Sequence, residues 1–257
     1  MKRCLLLPFA LLAGFAAAAP TDLRLLVTAS SDSCQSFTYG LAAFCRSAGF
    51  PFALTEINDR ASALLLVPNL AGVDVQQPLR VYWLTDAAHG SMATGLTSVA
   101  ILPVAEKSGT IVDALTASYP RRSEDKNLRI WRFAADPDRP PATGPSLFLA
   151  ARRDTVVVSA SQDAVRWALQ QAEPTRPTDM PAVAGQVRFD IRPEAVAALL
   201  VADPGRGEHA PPAVLRLLAD VRALSLTVET TSDGLMAHLA MTPAPGTALS
   251  RFAAGLR

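Results

Sequence analysis

The feature that most constrains the fold is an order of secondary structure that occurs twice in the chain. Between Pro78 and Tyr119 the sequence predicts a strand, a long connection, a second strand and an amphipathic helix. Residues 224–256 repeat the order of strand, strand and helix in a shorter form. Consecutive strands that are joined without a helix favour antiparallel pairing, so this order predicts helices packed on an antiparallel sheet.

Each of these two stretches follows a further predicted strand and two predicted helices. The full order of strand, helix, helix, strand, strand and helix describes residues 23–119 and again residues 186–256. We therefore predict an α+β fold with a largely antiparallel sheet flanked by helices and two degenerate repeats. α+β chains also show this order by chance, which leaves an unrelated second half open as the alternative.

The domain boundaries follow from length and from proline content. The 257 residues suit one large domain or two small ones. Pro174, Pro177 and Pro181 interrupt a segment without apolar periodicity, which is typical of a boundary. We predict a signal peptide over residues 1–18, an N-terminal α+β domain over 19–172, a Pro-rich linker over 173–184, and a C-terminal α+β repeat over 185–257 packed on the first domain.

The N-terminal residues predict export. Lys2 and Arg3 precede an apolar run over residues 5–15, and small residues follow at 16–18, as in a Sec-type signal peptide. The run is too short to span a membrane, and Phe15 stands where a lipoprotein signal would have cysteine. We therefore predict cleavage before Ala19 and a periplasmic or extracellular location. An uncleaved membrane anchor is the alternative.

The charge balance excludes some classes of partner. The chain has 24 Lys and Arg against 23 Asp and Glu, so removal of Lys2 and Arg3 leaves 22 against 23, a net charge of −1. Without a basic excess there is no electrostatic basis for binding nucleic acid. No second apolar run of about 18 residues follows, so we predict no stable membrane insertion after cleavage. The expected partner is an unknown protein or another component of the cell envelope.

Two cysteines, Cys34 and Cys45, follow the predicted cleavage site and are a disulfide candidate. Export would place them in an oxidising compartment, where a bond is permitted. One predicted helix holds both, and eleven residues of helix separate their Cα atoms by about 16 Å, whereas a disulfide needs them within about 7 Å. An intramolecular bond and two buried free thiols both stay open. No histidine lies near enough in the sequence to suggest a zinc site.

The chain shows none of the common catalytic or nucleotide-binding motifs, so we predict no catalytic residues, no cofactor and no metal. The long connection between the two strands of the 78–119 stretch holds His89 and Ser91, which are candidate binding residues because binding groups concentrate in loops. A plain exposed loop is the alternative. Ser123 and Lys126 match the Ser-x-x-Lys pair of penicillin-recognising enzymes, but they lie in a predicted polar loop, and we interpret the match as chance.

A further expectation concerns the C-terminal hairpin. Asp233-Gly234 is a strong signal for a two-residue turn. A turn at those residues would place His238 opposite Glu229, where the two side chains would form a cross-strand ion pair.

Several short motifs resemble uncharacterised families of secreted bacterial proteins built from αβ repeats. They are Gly72-Val73-Asp74 with Pro78 ahead of a strand, Leu102-Pro103-Val104 ahead of a helix, and residues 156–159 leading into 161–164. The resemblance implies export and an α+β fold. It implies no known activity and no catalytic residues.

The leading hypothesis is an exported cell-envelope protein of unknown activity that acts as a non-enzymatic binding or interaction module. One alternative is a secreted hydrolase whose site is assembled from distant residues. The other is a structural subunit that assembles with copies of itself through a sheet edge. A large exposed apolar patch would favour the interaction module, and polar side chains that converge in a deep cleft would favour the hydrolase.

Overall fold

The computed structural model describes residues 23–47, 65, 67, 70–86, 96–105, 108–119, 121–126, 129–134, 146–152, 154–171, 186–202, 212–231 and 234–255. These residues form ten strands and six helices. In chain order they are β1 (Leu23–Ser31), α1 (Cys34–Ser47), β2 (Leu79–Asp86), β3 (Leu96–Pro103), α2 (Ser108–Ser118), β4 (Arg121–Asp125), β5 (Ile130–Ala134), β6 (Leu147–Arg152), β7 (Thr155–Ser159), α3 (Gln162–Gln170), β8 (Gln186–Ile191), α4 (Pro193–Ala202), α5 (Pro212–Asp220), β9 (Val221–Thr231), β10 (Gly234–Pro243) and α6 (Ala248–Gly255).

All ten strands belong to one antiparallel sheet, in the order β10-β9-β8-β1-β2-β3-β7-β6-β5-β4. The predicted α+β class with a largely antiparallel sheet is confirmed. β1 pairs with β8, the first strand of the predicted C-terminal repeat. Both predicted halves therefore contribute to a single sheet.

The arrangement around the β1–β8 pair bears on the predicted repeat. β1, β2 and β3 extend to one side of that pair, and β8, β9 and β10 extend to the other in the same succession. One helix lies between β1 and β2 among the described residues, and two lie between β8 and β9. The second helix expected in the first half falls on residues 52–66, which are mostly outside the described residues. The repeat therefore stays a prediction.

The two faces of the sheet support separate core clusters, because alternate side chains of a strand point to opposite faces. α1, α2 and α4 contribute to the larger cluster, and α3 contributes to the smaller one. In β2 the alternation is clear, since Val81 and Trp83 belong to the larger cluster while Tyr82 and Leu84 belong to the smaller. Each fully buried large apolar side chain stabilises the fold by about 1.5–3 kcal/mol.

The two halves are held together by more than strand pairing. The Ser31 hydroxyl donates a 3.0 Å hydrogen bond to the Gln186 carbonyl oxygen. α1 approaches β8 so closely that a Cβ on Gly40 would lie 2.9 Å from Cγ2 of Val187. Glycine at position 40 therefore allows the helix to pack directly on the first strand of the second half.

The sequence prediction for residues 121–127 is wrong. They were expected to form a polar loop, but Arg121–Asp125 form β4, the edge strand paired with β5. An edge strand with little burial shows no apolar alternation, so the pattern that indicates other strands is absent here. Ser123 consequently lies on an exposed strand, and Lys126 lies in the turn that follows.

The predicted register of the C-terminal hairpin is also wrong. Thr231 pairs with Gly234, one residue earlier than a turn at residues 233 and 234 would allow. Moving the turn by one residue shifts the pairing by two, and His238 therefore lies opposite Thr227. Glu229 lies opposite Met236 and accepts a 3.1 Å hydrogen bond from Nε2 of Gln186.

Candidate functional site

The predicted binding residues His89 and Ser91 lie outside the described residues. The strands that flank them pair as an antiparallel hairpin, with Thr85 opposite Leu96. The connection that carries the two residues therefore links neighbouring strands, as expected. Their role in binding stays a prediction.

Cys34 is the first residue of α1, and its free thiol is fully buried. Burial raises the pKa of this thiol to about 12 because the thiolate would lose its hydration, and the nearby negative charge of Asp74 adds to the shift. Cys45 belongs to the same uninterrupted helix, although its side chain is outside the described set. The structure gives no support to a bond between the two cysteines.

The buried thiol predicts a dependence of stability on alkaline pH. In the unfolded chain the Cys34 thiol ionises near its ordinary pKa of about 8.5, but in the folded protein it stays protonated until about pH 12. Between about pH 9 and 12 the thiol is therefore ionised in the unfolded chain but not in the folded protein. Ionisation stabilises the unfolded state, so the free energy of unfolding falls as pH rises through this range. We expect the free energy of unfolding, measured in urea between pH 8 and 10.5, to fall more steeply for the wild type than for Cys34→Ala.

Alkylation controls for the redox state of the two cysteines. The tryptic peptide of residues 25–46 holds both. With free thiols, iodoacetamide in denaturant without reductant modifies two positions of this peptide. A peptide that is unmodified before reduction and modified twice after it would establish the disulfide, and equal pH slopes for the two proteins would contradict the buried-thiol prediction.

Neither a metal centre nor a membrane-spanning helix is found in the described part of the chain. No three His, Cys, Asp or Glu residues there are grouped so that they could hold a metal ion. None of the helices described there is long and apolar enough to cross a bilayer.

The most prominent surface feature is a set of large apolar side chains that stay exposed in the C-terminal part of the chain. Leu239, Phe252 and Val201 are 61%, 66% and 70% exposed. We call the complete set the C-terminal apolar surface. It consists of Val201, Val214, Leu217, Met236, Leu239, Met241 and Phe252.

The elements that carry this surface contact one another in sequence. α4 packs against α5, α5 packs against α6 and β9, and α6 packs against β10, which pairs with β9. The Ala244 amide also donates a 2.8 Å hydrogen bond to the Asp220 carbonyl oxygen, which joins the end of α5 to the segment between β10 and α6. Apolar side chains on adjoining elements at one end of the sheet form a candidate interaction surface.

Helices α5 and α6 contribute to this surface because neither has a buried side chain among its described residues. Sequence periodicity predicts a helix that uses Val214 and Leu217 and a final amphipathic helix that includes Phe252. In the structure these three side chains are exposed. Periodicity identified the apolar face of each helix correctly, but it does not show whether other residues of the chain cover that face.

The edge strand β10 has an unusual composition for its position. Its ten residues include no Asp, Glu, Lys or Arg. Leu239 and Met241 point to one face of the sheet and Met236 points to the other, and all three are exposed. Large apolar residues on both faces are typical of a strand whose two faces are both covered by other elements.

The opposite edge of the sheet is of the usual protected kind. β4 has five residues, and four of them are charged. The guanidinium of Arg122 also lies over the ring of Trp131 on the neighbouring strand β5, with 5.6 Å between its Cζ and the ring centroid. Short length and charge both discourage pairing with another chain, and β10 has neither feature.

Comparison with known proteins leaves the chain without a family. No protein-family model matches it, and no curated protein matches it. A solved structure described as "Structure of crystal form I of TP0453" is similar at 10% sequence identity and a TM-score of 0.40, over 93% of this chain and 85% of that chain. A likeness at this level identifies neither a shared fold nor a shared activity.

Proposed function

We propose that the protein is an exported, non-enzymatic interaction module of the cell envelope, periplasmic or extracellular, and that it binds through the C-terminal apolar surface. The observation that carries the proposal is the concentration of exposed large apolar side chains at one end of the sheet. The charged β4 edge, at the other end of the sheet, has a composition suited to permanent contact with water.

The physical argument is that exposed apolar area is costly and is removed when a partner binds. Large exposed apolar patches on soluble proteins mark protein or membrane interaction sites or ligand-binding grooves, or are aggregation liabilities. The free energy gained on covering such a patch is roughly 25 cal/mol per Å² before the entropic costs of association. Single apolar residues on a surface need no explanation, but seven on adjoining elements do.

The N-terminal sequence supports the envelope location. Lys2, Arg3 and the apolar run over residues 5–15 fit a secretory signal, and the resemblance to secreted αβ-repeat families agrees with it. No observation among the described residues favours the hydrolase, and the candidate binding residue His89 lies outside them.

Photo-crosslinking in intact cells tests the proposal. The photoreactive residue p-benzoylphenylalanine replaces Phe252 in the full chain, and a second variant carries it at Thr110, which is exposed on α2. After irradiation we expect covalent adducts of higher mass at position 252 in the periplasmic or secreted fraction. Position 110 is the matched control and should give few adducts, since it lies outside the C-terminal apolar surface.

Two results would contradict the proposal. Equal adduct yields at positions 252 and 110 would mean that the C-terminal apolar surface has no special role. A full-length chain that stays in the cytoplasm with residues 1–18 uncleaved would remove the envelope location.

A further inference from the structure

The inference concerns the free side of β10. An edge strand presents unpaired backbone N–H and C=O groups, which can pair with a strand of another chain. No strand in the described part of the chain lies on the outer side of β10. β10 has ten residues and no Asp, Glu, Lys or Arg, so it lacks two features that protect an edge, short length and charge, and β4 has both. Pro243 and the register shift beside it lie at the C-terminal end of β10 and leave residues 234–242 without such a feature.

We propose that β10 pairs antiparallel with β10 of a second copy of the chain, so that the two sheets continue into one another across a two-fold axis. This inference rests on the proposed function and names the partner of the same surface. It also assigns the contact to one of the two edges, because β4 is short and four of its five residues are charged, which are features that protect an edge from pairing.

Charge does not oppose a second copy as the partner. Like charges that lie directly opposite one another destabilise a strand pair. In an antiparallel self-pair only the residue at the two-fold axis opposes its own copy, so the charges that meet depend on the register. A strand without Asp, Glu, Lys or Arg brings no like charges together in any register. β10 meets this condition along its whole length. An isologous contact of this kind also closes on itself and gives a dimer rather than a fibre.

The area available is of the right order for a dimer. The exposed parts of the apolar side chains on β10, α5 and α6 amount to on the order of 600 Å², against the roughly 800 Å² that each partner contributes to a standard interface. The backbone of β10 adds to this area. An interface of standard size at this edge therefore needs further surface besides these side chains.

Symmetry restricts the register. A two-fold axis perpendicular to the sheet keeps every side chain on its own face. Directly opposed residues share a face, so they are separated by an even number of positions along the strand. The axis therefore passes where one residue opposes the same residue of the second copy. Near the middle of β10 this residue is either His238 or Leu239. The register centred on Leu239 buries the most exposed apolar side chain of the strand in both copies and avoids placing two imidazoles together.

A charge-reversal experiment tests both the dimer and the register. The molecular mass of the full exported chain is measured by sedimentation equilibrium from about 1 to 100 µM, a range that covers association of moderate strength. We expect the wild type to approach twice the monomer mass. Leu239→Lys and Leu239→Glu should each weaken association at least tenfold, because each places like charges opposite one another. An equimolar mixture of the two variants should restore association, since lysine then opposes glutamate.

Ser123→Glu is the matched control, since it adds the same charge to an exposed position on the opposite edge strand. It should leave association unchanged. A wild type that stays monomeric to about 100 µM overturns the dimer. Loss of association in Ser123→Glu, no loss in the Leu239 variants, or no recovery in the mixture overturns the assignment to β10 in this register.

A cysteine variant keeps the inference testable if the charged variants fail to fold. Leu239→Cys in a Cys45→Ser background should form a disulfide-linked dimer on mild oxidation, because directly opposed Cα atoms lie about 4.5–5.5 Å apart, within the range for a disulfide. Ser123→Cys in the same background should not. Absence of the linked species at position 239 overturns the register.

A monomeric wild type that still gives photo-adducts at position 252 with other molecules would leave the proposed function standing without the dimer.

Discussion

Replacing Trp83 by alanine is expected to lower the free energy of unfolding by about 3–5 kcal/mol. Trp83 lies in β2 within the larger core cluster, 4% exposed, between Val27 of β1 and Ser98 of β3. Removal of the indole would leave a large cavity at the centre of a ten-stranded sheet, where the surrounding strands have little freedom to collapse. Urea unfolding followed by circular dichroism measures the loss.

Trp83→Phe separates packing from hydrogen bonding at the same position. Nε1 of Trp83 is buried without a hydrogen-bond partner among the described residues, so phenylalanine removes no hydrogen bond seen there and also removes an unsatisfied donor. We expect Trp83→Phe to cost less than half as much as Trp83→Ala. Equal losses for the two variants would show that the indole N–H makes a stabilising hydrogen bond and that packing is not the main contribution.

Gly72→Ala is expected to destabilise the fold by about 2–4 kcal/mol, through backbone strain and overpacking together. Gly72 has a φ of +78°, in the left-handed region that side chains disfavour. A Cβ there would lie 2.8 Å from Cγ1 and 3.0 Å from the backbone nitrogen of Ile111. The Gly72 carbonyl oxygen also accepts a 3.0 Å hydrogen bond from the Ala105 amide, so a shift of this residue would disturb the end of β3.

Gly246→Ala is the matched control for this prediction. Gly246 has the same φ of +78°, but a Cβ there would have no neighbour within 4 Å. Gly246→Ala should therefore cost only the backbone strain, about 1–2 kcal/mol. The difference between the two variants in thermal or urea unfolding measures the cost of the contact with Ile111. Equal losses would mean that this contact relaxes without cost.

The sequence predicts the interior of this sheet better than its edges. β2 and β3 follow directly from apolar residues that alternate or run continuously between Leu79 and Pro103, because burial on one or both faces selects that pattern. β4 was missed because four of its five residues are charged. The partner of β1 was also beyond local patterns, since pairing between Ser31 and Val187 depends on the whole fold.

The candidate surface shows the same division. Periodicity identified the apolar residues of α5, β10 and α6, but it could not predict that they are exposed. Apolar residues such as Leu217 and Phe252 recur at helical spacing whether or not another element covers them. Two buried free thiols were one of two open alternatives, and the structure describes only one of the two thiols, the buried free thiol of Cys34. Helix geometry made the disulfide difficult, but the burial of the thiol depends on how α1 lies on the sheet.

The pairing of β1 with β8 has a consequence for the order in which the chain folds. The hydrogen bond between Ser31 and Gln186 spans 155 residues, so the centre of the sheet closes only after about three quarters of the polypeptide is present. Contacts of such long range slow folding, because the entropy of closing the loop is lost before the contact stabilises anything. We therefore expect the N-terminal strand to remain without one of its two neighbours during synthesis until residues 186–191 have been made.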